Sequence, residues 1–294
     1  MANLKDIKRN ITSVKNTQKT TRAMKLVSTA KLRRAEEAAK RARVYADKLN
    51  EMLSEISEKI NHFKVGGSTS KFFDIVENPK VVDILFITAD KGLCGGFNIQ
   101  TIKRVRALMD EYKAKGAKIR LRAVGRKGID FFNFQGTEML EKEVGVSSAP
   151  TYEKAQEVIG KAVADFVDGQ TDKVILVHNG YKNMITQEIK QVNLMPVDTL
   201  EVEAATSESM LEVEAENEEE VLDSLIKKYI EYNMFFALID SLAAEHSARM
   251  QAMDNATNNA KERVQQLTIQ YNKARQEAIT TELIEIISGM ESLK

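Results

Sequence analysis

Apolar residues recur with a heptad spacing along the N-terminal part of the chain, from Leu4 to Phe63. Both ends of this seam are apolar, whereas its middle, residues 18–28, is polar. No glycine or proline interrupts it before the pair at 66–67. A heptad pattern of this length is typical of a coiled-coil strand. It therefore predicts one long helix over residues 1–65.

A second heptad seam runs from Leu222 to Ala278, and the first residue that would end its helix is Gly289. It predicts another coiled-coil helix over residues 221–294. At about 1.5 Å per residue, each helix would extend on the order of 90–105 Å, so an elongated chain is expected. If both helices leave the intervening segment on one side, they form an antiparallel pair. The second helix is then longer by about 12 residues, and its tip would project roughly 18 Å beyond its partner.

The segment between the two seams, residues 66–200, alternates strand and helix patterns. Strands are predicted at Val81–Thr88, Ile119–Val124, Lys173–Asn179 and Thr186–Leu194, with a weaker one at Glu138–Val144, and helices at Asn98–Lys115 and Tyr152–Val167. This alternation predicts a mostly parallel, Rossmann-like sheet, and the turn signal Asn179-Gly180 predicts a closing hairpin. Residues 201–220 are predicted to be an acidic linker. The predicted fold class is α/β plus a long coiled coil: an antiparallel two-helix coiled coil with the α/β domain inserted between its helices.

The formal net charge is +0, but the charges are unevenly distributed along the chain. The segment up to Arg34 is basic, with Asp6 as its single acid, whereas residues 199–223 are acidic and contain no base. This asymmetry suggests charged partners. The single cysteine, Cys94, excludes an internal disulfide and fits a reducing compartment. Because no signal-peptide core and no apolar run near the roughly 18 residues of a membrane helix are present, a soluble, cytoplasmic chain is expected.

The glycine cluster at 90–98, D-K-G-L-C-G-G-F-N, follows a predicted strand and precedes a predicted helix, where phosphate-binding loops occur. Its spacing matches neither the dinucleotide fingerprint nor the P-loop. Two interpretations stay open, a nucleotide site and a tight strand-to-helix crossing that needs small residues, and the second is favoured. The histidines His62, His178 and His246 are far apart and have no metal ligands at suitable spacing. No catalytic site, metal or cofactor is therefore expected.

Two helical surfaces indicate partners instead. The basic stretch 15–34 is either a solvated face or a surface for an acidic protein, and DNA is disfavoured because no groove-reading motif accompanies it. Near the end of the second helix, an apolar stripe extends from Ile279 to Met290, where the first helix is expected to have ended. An apolar stripe without an intrachain partner implies burial in another protein. Self-association or contact with a membrane is the alternative.

Five segments, taken in order, resemble the gamma subunits of F-type ATP synthases. They are Ile7–Ser28, the glycine cluster Asp90–Asn98, Leu242–Met253, Tyr271–Gln276 and Ile279–Met290. The last one follows the family's I-T-x-E-L-x-E-I-x-x-G-A pattern, with Met290 in place of the alanine. The resemblance covers both helices and the glycine cluster, and the middle domain matches only loosely.

This resemblance implies a non-catalytic rotor shaft, seated in a hexameric head of alternating alpha and beta subunits. The foot of the shaft would bind the epsilon subunit and the membrane c-ring. Proton flow would turn the ring and the shaft, and the turning shaft would change the beta sites for ATP synthesis. The chain would lie at the cytoplasmic face of the inner membrane and touch the membrane only through the complex, without nucleic acid or cofactor.

The resemblance also implies roles for individual residues. The residues implied to face acidic levers of the beta subunits are Lys19, Arg22, Met24 and Lys25. Those implied to hydrogen-bond loops of the head are Arg275 and Gln276. Those implied to lie in an apolar bearing of the head are Ile279, Leu283 and Ile286. Those implied to contact the c-ring or the epsilon subunit at the foot are Glu212 and Glu214.

Two other functions remain in view. One is a coiled-coil adaptor whose Rossmann-like domain binds a ligand, unrelated to rotation. The other is an enzyme of the α/β domain, for which no catalytic constellation is present. Purification of the native complex distinguishes them, because only a rotor shaft would be accompanied by ATPase-type alpha and beta subunits.

Overall fold

The computed structural model describes residues 4–63, 71–74, 76–197 and 218–291. Two long helices enclose a set of alternating strands and shorter helices in the sequence. The elements in chain order are α1 (Leu4–Phe63), one 3₁₀ turn (Lys71–Phe73), β1 (Val81–Ile87), α2 (Phe97–Ala114), β2 (Lys118–Val124), α3 (Arg126–Phe134), β3 (Glu141–Glu143), α4 (Tyr152–Val167), β4 (Lys173–Tyr181), β5 (Gln187–Met195) and α5 (Glu218–Glu291). The predicted fold class, two long terminal helices with a mostly parallel α/β domain between them, is confirmed.

The five strands form one sheet with the order β3-β2-β1-β4-β5. The first four strands run parallel, and β5 runs antiparallel to β4. The central strand β1 is buried along most of its length, and Ile84 pairs with Leu121 on one side and Ile175 on the other. A strand that is buried on both faces is apolar throughout rather than alternating, which is why V-V-D-I-L-F-I was recognisable as a strand.

The hairpin that closes the sheet has its turn at a different place from the predicted one. Asn179 and Gly180 lie inside β4, where they pair with Ile189 and Glu188 of β5. The chain reverses after them, where the N–H of Lys182 donates to the carbonyl of Thr186 at 3.2 Å. The prediction of a turn at Asn179-Gly180 is therefore wrong, although the hairpin exists.

Helix α3 was not predicted, because it is short and contains Gly128. The glycines around it are required by close packing against the end of β1. A Cβ on Gly125, whose φ is +99°, would lie 1.9 Å from the carbonyl oxygen of Thr88, and a Cβ on Gly128 would lie 2.5 Å from Phe86. In the sequence these glycines look like residues that end a helix, but in the structure they are needed because there is no room for a side chain.

Apolar cores fill both faces of the sheet. One contains buried residues of α4 and α5 packed against the strands, such as Ile159 and Ile230. The other contains residues of α2 and α3, such as Val105 and Phe132. Helix α4 has the bounds predicted from the sequence. Its N-cap is Thr151, which accepts a hydrogen bond from the N–H of Lys154 at 3.3 Å.

A cluster of buried charges lies beside the first core, between β1, β2 and α4. The Asp83 carboxylate is fully buried and accepts hydrogen bonds from Arg120 at 2.6 Å and from Arg122 at 2.8 Å. Both arginines also pair with Asp165 of α4, and Arg122 pairs with Glu141 of β3 at 3.0 Å. The hydrogen bond to Asp83 raises the pKa of Arg120. Burial alone would lower the pKa of Arg122, but its hydrogen bond to Asp83 and the nearby carboxylates outweigh burial and raise that pKa. These ion pairs connect the three-residue edge strand β3 to the rest of the sheet.

The chain forms two compact units, Ala30–Ala248 and the pair Met1–Thr29 with Arg249–Lys294. Within the first unit, the hydroxyl of Tyr232 donates to the carbonyl of Ala42 at 2.9 Å. Within the second, Thr21 contacts Thr257 at 2.8 Å and Lys25 contacts Asp254 at 2.7 Å. Within this second unit, residue numbers rise on α1 as they fall on α5, so the two helix segments pair antiparallel.

Candidate interaction sites

The final turns of α5 carry the apolar stripe and are fully accessible. Leu267 is the last buried residue of the helix, at 6% exposed, and Tyr271 and Ala274 are half-buried. Every residue from 275 to 290 is exposed. The large apolar side chains of this tip are between 49% and 66% exposed, and they are Ile279, Leu283, Ile284, Ile286, Ile287 and Met290. Six accessible apolar side chains on about three helical turns form a surface that is typical of a protein interface.

Two of the residues predicted for the head, Arg275 and Gln276, lie at the start of this exposed tip. The carbonyl of Gln276 accepts a hydrogen bond from the hydroxyl of Thr280 at 2.9 Å. The structure thus places the predicted polar pair directly before the apolar residues Ile279, Leu283 and Ile286 on one accessible helix end.

The basic surface of α1 is partly used inside the chain. Lys19 and Arg22 are exposed, whereas Met24 and Lys25 are half-buried. The ammonium group of Lys25 donates to Asp254 of α5 at 2.7 Å. An outside partner would therefore meet the charges of Lys19 and Arg22 more directly than that of Lys25.

An exposed apolar pair adjoins this basic surface and was not predicted as part of it. Leu26 is 64% exposed and Val27 is 57% exposed. Both lie outside the heptad seam, which is the signal that could have identified them. The surface available to a partner is thus basic and apolar together. The predicted foot residues Glu212 and Glu214 lie outside the described residues.

The glycine cluster after β1 satisfies its own polar groups. The Asp90 carboxylate accepts hydrogen bonds from the backbone N–H groups of Arg126 and Gly145, at 3.0 Å and 3.1 Å. Asn98 accepts a hydrogen bond from the N–H of Ala89 at 2.9 Å and donates to the Cys94 sulfur at 3.2 Å. Asp90 and Asn98 are therefore engaged in hydrogen bonds within the chain.

Helix α5 covers the crevice where doubly wound sheets bind ligands. That crevice lies at the carboxyl ends of the strands where the strand order reverses, which is between β1 and β4 in this sheet. Here Ala89, Cys94 and Phe97 pack against Ala244 and Ala248 of α5. This packing supports the interpretation of the glycine cluster as a tight crossing.

A second polar site was not predicted at all, and it lies where α5 meets β4 and β5. The Asp240 carboxylate is 4% exposed and accepts hydrogen bonds from three donors. These are His178 Nε2 at 3.2 Å, Lys190 Nζ at 2.7 Å and the backbone N–H of Tyr181 at 3.0 Å. Burial alone would raise the pKa of Asp240, but the hydrogen bonds from His178 and Lys190 outweigh it and hold that pKa below its usual value.

Ser247 lies two turns further along α5 and binds the same hairpin. Its hydroxyl accepts a hydrogen bond from Gln187 at 2.8 Å and donates to the carbonyl of Met184 at 2.9 Å. We refer to Asp240 and Ser247 with the groups that they bind as the hairpin clamp. Its acceptors sit on a helix segment, residues 237–249, that is buried on nearly all sides. A heptad seam predicts one buried stripe, so sequence periodicity gave no sign of this enclosure.

The described part of the chain holds no cluster of histidine, cysteine or carboxylate side chains arranged to bind a metal ion. Nor does it hold a helix that combines the length and the apolar character needed to cross a membrane.

Taken together, the fold defines a class of protein: a two-helix coiled coil with an inserted α/β domain and an accessible apolar helix end that requires a protein partner. The profile of the family described as ATP synthase matches residues 3–293. The ATP synthase gamma chain of Campylobacter curvus is 68% identical over 100% of both chains, and that of Nitratiruptor sp. is 66% identical over 100% of both. The chain belongs to the ATP synthase gamma-chain family and is a subunit of that complex, as the resemblance implied.

Solved structures carry the same fold. A chain of the Euglena gracilis mitochondrial ATP synthase, in an assembly of OSCP, F1 and c-ring, superposes with a TM-score of 0.72 at 20% identity, covering 99% of this chain and 94% of that one. A chain of the Tetrahymena thermophila central stalk and c-ring gives a TM-score of 0.61 at 23% identity, covering 81% and 99%. At these identities the likeness concerns the fold.

Proposed function

We propose that the chain is the central rotor shaft of an F-type ATP synthase. It couples proton-driven rotation of a c-ring to conformational changes at the catalytic beta subunits for ATP synthesis, and it runs in reverse during hydrolysis. Membership in the gamma-chain family supports the rotor role, and so does the fold shared with central-stalk chains. In this proposal residues 1–65 and 221–294 form the shaft, residues 66–200 form the foot and residues 201–220 connect foot and shaft.

The observation that carries the proposal is the accessible tip of α5. Its apolar residues Ile279, Leu283 and Ile286 are 49%, 54% and 56% exposed, so their burial requires a sleeve from other subunits. In the proposed complex they turn in an apolar bearing of the alpha and beta head. Arg275 and Gln276, which precede them, hydrogen-bond loops of that head.

The basic surface of α1 is proposed to face acidic segments of the beta subunits. Lys19 and Arg22 supply exposed charge, and Met24 with Lys25 completes the contact. The exposed apolar pair Leu26–Val27 adds a non-directional component, because it would be buried by the same partner.

The coupling needs no catalytic group on this chain. A rotor acts by making different contacts with each beta subunit at each angle, which shifts each subunit between conformations that bind nucleotide with different affinity. We therefore propose a non-catalytic subunit. It is held at the cytoplasmic face of the inner membrane through the epsilon subunit and the c-ring, with Glu212 and Glu214 as candidate contacts at the foot.

Direct observation of rotation tests this function. The chain has one cysteine, Cys94, which is buried, so a cysteine introduced at the exposed position Lys113 can carry a bead selectively. The complex with alpha and beta subunits is fixed through the beta subunits, and the bead is followed with ATP and, as a control, without it. Stepwise turning that depends on ATP is expected. An assembled, hydrolysing complex whose bead stays still would refute the rotor function, and a chain that purifies without alpha and beta subunits would indicate the adaptor.

A further inference from the structure

The hairpin clamp connects the α/β domain to α5 through directional contacts. Three hydrogen-bond donors converge on the single carboxylate of Asp240. Two of them, His178 and the N–H of Tyr181, belong to β4, and the third, Lys190, belongs to β5. Gly180 allows this convergence, since a Cβ there would lie 2.5 Å from Lys190 and 2.8 Å from Asp240. Ser247 repeats the arrangement about 10 Å further along the helix. The hairpin is thus fixed to α5 at two heights on one face.

The same hairpin also reaches α1. Burial and the negative charge of the Glu36 carboxylate of α1 raise the pKa of Tyr181. The backbone N–H of this tyrosine donates to Asp240, so one residue at the end of β4 contacts α5 and lies within the electrostatic reach of α1. All of these groups belong to the unit Ala30–Ala248.

The chemistry of the contact is informative because apolar packing would have been sufficient for stability. Apolar burial is non-directional, so by itself it specifies the register and rotation of a helix less tightly. Hydrogen bonds to a buried carboxylate depend steeply on distance and angle, so they fix both the register and the rotation of the helix. Replacing a buried ionic group by apolar residues often costs no stability, whereas a role in fixing register explains its presence. Here the neighbouring residues Ala244 and Ala248 of α5 pack against Ala89, Cys94 and Phe97, which follow the end of β1.

We propose that the hairpin clamp is a torque-bearing contact of the rotor, with Asp240 as its central positioning residue. It holds α5 against rotation relative to the β4–β5 hairpin, so that turning of the α/β domain is passed to the helix without slip. This inference rests on the proposed rotor function and adds to it the place where load passes from the sheet to the shaft.

The test uses the Asp240→Asn variant in the complete ATP synthase, in inverted membrane vesicles. Asparagine has the shape of aspartate but only one acceptor oxygen. Because the Lys190 ammonium group and His178 both donate to the same carboxylate oxygen, the asparagine oxygen takes that place and its amide N–H₂ faces the backbone N–H of Tyr181, which loses its acceptor. ATP hydrolysis is expected to stay within about twofold of the wild-type chain, while proton pumping per ATP hydrolysed falls. In the isolated full-length chain, hydrogen exchange of the Tyr181 amide should accelerate by about tenfold or more, the factor expected on loss of a buried charge-assisted hydrogen bond. Glu262→Gln, the same chemical change at an exposed position of α5, is the matched control and should alter neither quantity.

The two readouts separate a torque-bearing contact from a merely structural one. Faster exchange together with reduced pumping per ATP supports the proposal. Faster exchange with unchanged pumping overturns it, because the clamp would then only stabilise the fold, and unchanged exchange overturns it as well. If Asp240→Asn does not assemble, Ser247→Ala, which removes only the contacts to Gln187 and Met184, decides through pumping alone. Reduced pumping per ATP then supports the proposal, and unchanged pumping overturns it. A wild-type complex that hydrolyses ATP without pumping would instead contradict the rotor function itself.

Discussion

Removal of the α5 tip should separate what this chain needs to fold from what it needs to function. A chain that ends at Ala278 lacks all six large apolar side chains of the tip, and each of them is between 49% and 66% exposed. Their contribution to the fold of the isolated chain is correspondingly small. We expect the shortened chain to keep its melting midpoint within about 2 °C, apart from the helical signal of the lost turns.

In the complex the same side chains have much more to contribute. Complete burial of such a side chain is worth roughly 1.5–3 kcal/mol, so burying the remaining exposed half adds about 1 kcal/mol each. Six of them give about 6 kcal/mol before the entropy of association is subtracted. The shortened chain should therefore dissociate from alpha and beta subunits far more readily and couple hydrolysis to pumping less tightly.

Circular dichroism melts of the isolated chains and the dissociation rate of the complexes measure the two effects. A chain ending at Gln266 is the matched control, because it also removes Leu267, which is only 6% exposed. That chain should lose about 1.5–3 kcal/mol and melt several degrees lower. A large drop already at Ala278 would mean that the tip folds back on its own chain, and the bearing assignment of Ile279, Leu283 and Ile286 would then be withdrawn.

Three further predictions follow from the other surfaces. Calorimetric titration of the isolated chain with MgATP or MgADP should show no binding at 90–98, and a dissociation constant tighter than about 100 μM there would favour the adaptor or an enzyme. Charge reversal of the exposed Lys19 and Arg22 to glutamate, with Lys25 kept because it pairs with Asp254, should reduce ATP synthesis more than assembly. Unchanged synthesis would leave these charges as a solvated face; each exposed pair is worth only about 0–1 kcal/mol, so single reversals should show little. The pKa of Asp240 is lowered on folding, so its carboxylate stabilises the folded chain fully above about pH 4, and this stabilisation is lost as the pH falls below that value. Asp240→Asn should therefore make the free energy of unfolding depend less on pH in the acid range. An unchanged acid dependence would contradict this.

Features that depend on local periodicity were predictable from the sequence. The two long helices, the parallel strands and α4 each carry an uninterrupted pattern or a cap, and the glycine cluster with both helix motifs identified the family. Features that depend on tertiary contact were not. Asn179-Gly180 has the composition of a turn, yet it lies in a strand because the small Gly180 makes room for Lys190 and Asp240. In the same way, the glycines at α3 reflect packing against Thr88 rather than a break in the chain.

The candidate sites also differ in whether the sequence pattern alone could reveal them. An apolar heptad position looks identical in the sequence whether its partner is the other helix of the chain, a sheet, or a different subunit. On α5 these cases occur in succession: residues 237–249 are enclosed, Leu267 is still buried against the chain, and residues 275–290 are exposed. The tip could be inferred only because the first helix is predicted to be shorter than the second, which left those positions without a partner. The clamp could not be inferred, because Asp240 and Ser247 resemble ordinary polar residues of a solvated helix face until the hairpin that supplies their donors is known. A shaft must be held where load enters it and released where it turns. The polar, directional contacts of Asp240 and the accessible apolar side chains of the tip match those two requirements on one helix.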